Sequence, residues 1–520
     1  MHIFSLIMSL SLLAACGGSS GGGGATTTPP PPAGTGWQVG MFLDASTFAG
    51  QCQAPRAGSN DLQGATVDEN NFLRSYSNDT YLWYSEIADQ DPGLFDDPIT
   101  YFDELRTLET TGSGQDKDKF HFTFDTEEWI QLSQGGVSSG YGAEWTFLSV
   151  VIPREAIVAF TEPNSPATDP LIDLARGATL LAVDGTDINT NTQAGVDILN
   201  GGLFPDGPGE THTFTIRDLG AANSRMVTMT SAVITSTPVQ NVQVLDTPTG
   251  RVGYMVFNSH IATAEEGLVD AVNQLNAGQG IDDLVLDLRY NGGGFLDIAA
   301  QMAYMIAGSA QTAGRVFETT QFNDKHTVTD IFGRPIAPTP FHSTTLGFSG
   351  LAQGLPLPVL NLSRVFVITG PGTCSASEAI MNGLRGVTGF EVIQIGGTTC
   401  GKPYGFFPQD NCGTTYFTIQ FRGVNALDFG DYTDGFSPTN TLANAGTIVP
   451  GCSVADDFTA QLGDPAEGRL ATALAFRDGQ ACPAATGIAQ PGFSKPGAPL
   501  SATDGIMLKS PWHTNRIMRP

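Results

Sequence analysis

A serine between a buried strand and a helix is a candidate nucleophile, and Ser375 stands at such a junction in Gly370-Pro371-Gly372-Thr373-Cys374-Ser375-Ala376-Ser377-Glu378. The helix N-terminus favours developing negative charge there, and the N–H of the following residue can stabilise an oxyanion. The spacing from Ser375 to Glu378 equally fits a capping box, in which the serine would only cap the helix. Both readings stay open on these residues alone. A second segment, Asp287-Leu288-Arg289-Tyr290-Asn291-Gly292-Gly293-Gly294, sets three glycines at a strand-to-helix turn. Such a turn lets backbone N–H groups approach a phosphate or an oxyanion. No Gly-x-Gly-x-x-Gly or Gly-Lys-Ser/Thr spacing occurs in it, so nucleotide binding is the weaker use. His260, at a strand end, is the one histidine placed for a Ser-His pair, although a partly buried structural histidine is the commoner role.

Alternating strands and helices would carry these segments. Residues 252–257, 284–288, 365–369 and 392–395 read as buried strands, and 264–275, 298–306 and 376–384 as helices. That alternation predicts a mostly parallel sheet covered by helices over about 250–475. Upstream, 136–234 breaks into short β-rich runs (147–152, 156–160, 179–183, 211–216) with a short helix expected at 171–176. Aromatic and aliphatic residues at three-to-four spacing over 68–105 predict a small helical domain with Phe72, Tyr76, Tyr81, Tyr101 and Phe102 in its core. Asp184, Asp187 and Asn189 do not make a calcium loop, because the required Gly and Glu fall in the wrong places.

Taken in order, and followed by Thr398-Thr399-Cys400-Gly401-Lys402-Pro403-Tyr404-Gly405, the two glycine and serine segments resemble the C-terminal processing (tail-specific) serine peptidase family, in its exported lipoprotein branch. The resemblance runs over roughly 137–438 and includes Gly430 to Phe436. It implies an α/β peptidase core of the ClpP/crotonase-like type, with Ser375 as nucleophile, Lys402 as general base, and the N–H groups of Gly293 and Ala376 as the oxyanion hole. No cofactor is implied. Burial must lower the lysine pKa for it to accept a proton, because the charged form loses hydration. Ser139-Gly140-Tyr141-Gly142, then Asn164-Ser165-Pro166-Ala167, then Leu180 to Gly185 resemble a PDZ domain. That resemblance makes residues 139–142 the loop that captures a peptide C-terminus. Three features depart from the pattern. The Ser-to-Lys separation is slightly long, Cys374 directly precedes the serine, and Phe406 stands where a glutamine is usual. Either Gln409 or Gln420 substitutes for it, or another group orients the lysine. Phe406 also supports the rival reading, a peptide-binding lipoprotein without turnover.

Composition and the ends set the rest. The chain of 520 residues is too long for one core, and its 41% hydrophobic content suits a loop-rich globular protein. A net charge of −28 disfavours nucleic acid as a partner. An apolar stretch ending in Leu13-Ala14-Ala15-Cys16 resembles a lipoprotein signal, with Cys16 as the lipidated residue, although its n-region lacks Lys and Arg. The expected location is the cell envelope, lipid-anchored, on the outer membrane facing the periplasm or the surface. The expected divisions are signal 1–16, Gly/Pro tether 17–37, helical domain 38–135, PDZ-like domain 136–235, peptidase core 236–486 and tail 487–520. Six further cysteines suit disulfides in an exported chain rather than zinc, with Cys400–Cys412 and Cys452–Cys482 preferred on local spacing and Cys374–Cys52 also open.

Overall fold

The computed structural model describes residues 37–149, 152–442 and 446–485, and the backbone of 516–517. Cys16 and the tether lie outside the described residues. The architecture is multidomain α/β. Its central sheet runs in the order Val239–Thr247, Gly250–Phe257, Asp283–Asp287, Arg364–Thr369, Glu391–Gly396, Gly451–Ser453. The first pair is antiparallel and every later pair is parallel. Alternation along the strands feeds two faces. Leu284, Leu286, Val365 and Val367 pack under the helices Ala264–Leu275, Leu296–Ala307 and Ala376–Arg385, while Val285, Phe366, Ile368 and Ile395 pack under Gly468–Arg477. A parallel sheet buried on both faces needs apolar residues on both sides of each strand, hence the near-continuous runs. The parallel strands ending at Phe257, Asp287, Thr369 and Gly396 release their loops at one common edge, where ligands of open α/β sheets bind.

The region ahead of this core has its own sheet, ordered Arg225–Thr230, Thr211–Arg217, Thr179–Val183, Glu155–Thr161, Ala143–Ser149. It closes on a separate apolar cluster that includes Trp145, Val158, Leu180, Leu199 and Phe214. The strand expected at 147–152 begins earlier, as Ala143–Ser149, and forms the sheet edge. No helix forms at 171–176: Asp173 takes φ 44°, which ends any right-handed turn, and Leu171 is exposed. The helix of this sheet is instead Gln193–Leu203, capped by the Thr192 hydroxyl and buried through Val196, Leu199 and Leu203.

The N-terminal helices Thr66–Thr80 and Pro98–Glu104 bury Phe72, Tyr76, Tyr101 and Phe102 as expected. This region is also laced to the core, because strand Phe122–Asp125 pairs with Thr414–Phe417. Of the expected disulfides, Cys452–Cys482 is present. Cys400 bonds Cys374, and Cys412 bonds Cys52, 360 positions away. Local spacing misled here because the turn before the Ala376 helix folds onto the loop after strand Glu391–Gly396, bringing Cys374 and Cys400 to a Cα separation of 5.2 Å.

Candidate active site

The segment Gly370–Ser375 is a sharp crossing from strand to helix, and Ser375 completes it at φ 59°, ψ −113°. A non-glycine residue in that region is strained and persists only when its surroundings enforce it. Three contacts do so: Cys374 N–H donates to Asn291 O at 3.1 Å, the Thr373 hydroxyl donates to Leu288 O at 2.8 Å, and Ser375 N–H donates to Glu378 Oε2 at 2.9 Å. Only the glutamate half of the capping box forms. The Ser375 hydroxyl is buried without a hydrogen-bond partner among the described residues, so it is not spent on capping the helix.

Glu378 is the hub of the site. Its Oε2 also accepts Lys402 N–H at 2.8 Å, and its Oε1 accepts Gly401 N–H at 2.9 Å and the Thr399 hydroxyl at 2.5 Å. The backbones of Ser375 and Lys402, on separate loops, therefore meet on one carboxylate oxygen. Burial raises the Glu378 pKa against these donors. Sequence reasoning treated Glu378 as a capping residue only; its Thr-x-Gly-Lys partners lie in a loop more than twenty positions on, which local spacing does not reveal.

Lys402 is fully buried, and burial draws its pKa down to about 7 against the pull of Asp118 and Glu378. Its ammonium lies over the rings of Phe120 at 4.7 Å and Phe406 at 4.6 Å. Phe406 thus walls the lysine where a glutamine was expected. Neither expected substitute reaches it: Gln420 accepts from Phe407 N–H and donates to Tyr76 Oη, and Gln409 donates to Asp410 O. Sequence reading missed Asp118 and Phe120, contributed from the N-terminal region. Asp118 is itself buried; although burial pushes its pKa up, His121, the Tyr81 hydroxyl and Phe120 N–H hold it below the ordinary value.

The glycine turn lies against the serine. Asn291 O accepts the Ser377 hydroxyl at 2.9 Å as well as Cys374 N–H. Gly293 takes φ 110°, and its N–H donates to Asn291 Oδ1 at 2.9 Å. An oxyanion role for Gly293 therefore requires that bond to be exchanged, whereas Ala376 opens the helix directly after Ser375. The preceding Asp287 and Arg289 serve as support: Arg289 is buried and pairs with Asp287, Asp456 and Glu467 at 2.7–2.8 Å. His260 donates its N–H to Gly293 O, its ring faces Asn291, and burial lowers its pKa to about 3, which fits the structural role. Alongside the turn, Gly294–Phe295 pairs in parallel with Arg516–Ile517.

Ser139, Gly140, Tyr141 and Gly142 line a cleft of about 290 Å³. Edge-strand residues Glu144 and Trp145, Leu203 and Phe204 of the Gln193–Leu203 end, and Asn258 and Ser259 complete it. Ser139 and Gly140 are paired to Val233 and Ala232, so part of their backbone is already used. The cleft thereby reaches from the 139–142 loop to the loop after strand Gly250–Phe257, whose His260 N–H donates to Gly293 O of the glycine turn.

Comparison with known proteins matches this arrangement. The Peptidase family S41 model covers residues 251–406, and the Peptidase S41 N-terminal domain model covers 68–124. The β-rich sheet falls between the two matches. A carboxyl-terminal-processing protease of Picosynechococcus sp. is 29% identical over 215 residues, 40% of this chain and 44% of that protein, so the chain spans less than half the length of that relative. A putative S41 protease of Bacteroides fragilis shares the fold at TM-score 0.58 and 21% identity, over 78% of this chain and 97% of the other. Residues 68–124 and 251–406 are thus similar to the N-terminal and peptidase domains of peptidase family S41.

Proposed function

We propose that the chain is a serine endopeptidase of the cell envelope, anchored through a lipid on Cys16, which cuts exported proteins selected by their C-terminal tails. One observation carries the catalytic part: a buried, unpartnered Ser375 hydroxyl and a buried Lys402 amine, drawn toward neutrality, belong to backbones that share one oxygen of Glu378. Neutral Lys402 takes the Ser375 proton as Oγ attacks the scissile carbonyl, and then returns it to the leaving amine. The oxyanion faces Ala376 N–H, joined by Gly293 N–H once Asn291 releases it. Water then hydrolyses the acyl-enzyme by the same route.

Two further features support a peptide substrate. The edge of Gly294–Phe295 already accepts an extended strand, that of Arg516–Ile517. The cleft at 139–142 combines the last strand of the sheet order, Ala143–Ser149, with apolar walls from Leu203 and Ile234, the elements that recognition by strand addition uses. This is the PDZ-like reading, with loop N–H groups of residues 140–142 facing the terminal carboxylate.

The test is cleavage of an unfolded protein with an apolar tail by the wild type, Ser375→Ala and Lys402→Ala. Cleavage by the wild type alone is expected, with slower turnover when the tail is amidated. Equal cleavage by all three would remove the Ser-Lys assignment; binding without cleavage by the wild type would establish the non-catalytic lipoprotein instead.

A further inference from the structure

The two side chains assigned to the chemistry sit on different loops, and a misplacement of 1 Å between such groups costs about 100-fold in rate. What fixes their separation here is unusually direct. Cys374, the residue before Ser375, is bonded to Cys400, two residues before Lys402. Cys400 N–H also donates to Thr373 O at 3.0 Å, and the Glu378 carboxylate, beside the sulfurs, spans the same gap. Glu378 and the two sulfurs lie within 4.8 Å of one another. The remaining disulfides, Cys52–Cys412 and Cys452–Cys482, join segments outside these loops.

We propose that Cys374–Cys400 is a redox-controlled positioning bond: the chain turns over substrate with the bond closed and is latent with it open. This rests on the Ser375–Lys402 reading. The two residues differ in burial, Cys374 being fully buried and Cys400 only partly, so Cys400 is the side from which an attacking thiolate would approach. The reductant is a dithiol protein of the thioredoxin chemical class. Its thiolate attacks Cys400 Sγ, the disulfide breaks, and Cys374 leaves as a thiolate that takes up a proton. The second thiol of the reductant resolves the mixed disulfide and releases Cys400 as a thiol. Two electrons pass from dithiol to disulfide, and an oxidant of disulfide class reverses the exchange. With the bond open, no covalent link joins the two loops, and Glu378 and the Cys400 N–H bond to Thr373 O are left to hold Ser375 against Lys402. A newly made chain in a reducing compartment would then be unable to cut its neighbours.

The test compares the full-length wild type with Cys374→Ser/Cys400→Ser. The double variant is expected to lose about 100-fold in kcat with KM little changed, and to move the rising limb of its pH profile above that of the wild type, as water reaches Lys402. A merely destabilising change would lower the active fraction and leave the limb in place. Wild type treated with dithiothreitol, with alkylation and peptide mapping to score Cys374 and Cys400, provides the second measurement. Activity is expected to fall with opening of this bond, to return on reoxidation, and to be insensitive to reductant in the double variant. Full wild-type kcat in the double variant, or full activity in wild type mapped as open at 374–400, overturns the proposal. If Ser375→Ala retains activity, the Ser-Lys reading fails instead, which is a separate result.

Discussion

In the proposed mechanism Ser375 and Lys402 are primed by what is withheld from them: a partner for the hydroxyl among the described residues, water for the amine. Replacing Ser375 with alanine should cut kcat/KM on the order of 10,000-fold, measured on an unfolded protein substrate. Because burial brings the Lys402 pKa down to about 7, kcat/KM should rise through pH 7 as the amine loses its proton, far below the ordinary lysine value of 10.5. Phe406→Gln places a hydrogen-bonding group against the ammonium in place of a ring at 4.6 Å. It should move that rising limb upward, an outcome read from the same pH profile; an unmoved limb would show that the ring does not set the lysine's charge. The serine was legible in the sequence because its strand, its glycines and its helix are contiguous. The surroundings of Lys402 were not, because Asp118 and Phe120 come from a region nearly three hundred positions upstream, brought to the core by long-range joins such as the pairing of Phe122–Asp125 with Thr414–Phe417 and the Cys52–Cys412 disulfide.

At the level of elements, the strands and helices expected between 252 and 395 form close to their expected bounds, whereas Gly451–Ser453 and Gly468–Arg477 were not foreseen. The helix Ala264–Leu275 and the strand Arg364–Thr369 lie where apolar runs and β-branched residues place them, since burial on both faces writes itself into composition. The strand Val239–Thr247 escaped, being an edge strand with a bulge between Gln240 and Gln243 and no clean alternation. So did Gln193–Leu203, whose three internal glycines weaken its helical signature. The glycine turn depends on ion pairs that no local pattern announces: Arg289 with Asp287, Asp456 and Glu467, and Arg176 with the same Asp456 at 2.8 Å. Arg289→Met leaves buried carboxylates unpaired and should cost about 3–5 kcal/mol, read from the denaturant midpoint. Wild-type stability in that variant would mean the cluster is dispensable.

Across the whole molecule, the β-rich sheet meets the core through a titratable joint. Glu162 accepts Thr237 N–H at 2.9 Å and the Ser236 hydroxyl at 3.2 Å, and burial raises its pKa from 4.5 to about 7. Between those values the folded chain holds a proton that the unfolded chain has lost, so this group's contribution to stability falls as pH rises through that window. Glu162→Gln should flatten the decline in Tm between pH 5 and pH 7; an identical decline in variant and wild type would place its origin elsewhere. The bond between Cys52 and Cys412 acts on a larger scale still, closing a ring of 360 positions that contains the entire β-rich sheet, Ser375 and Lys402. A single break in the backbone inside that ring cannot separate the molecule into pieces. Autolysis at any such position would run as one full-length band under non-reducing electrophoresis and divide into fragments only after reductant is added, so the age of a preparation is concealed in its topology.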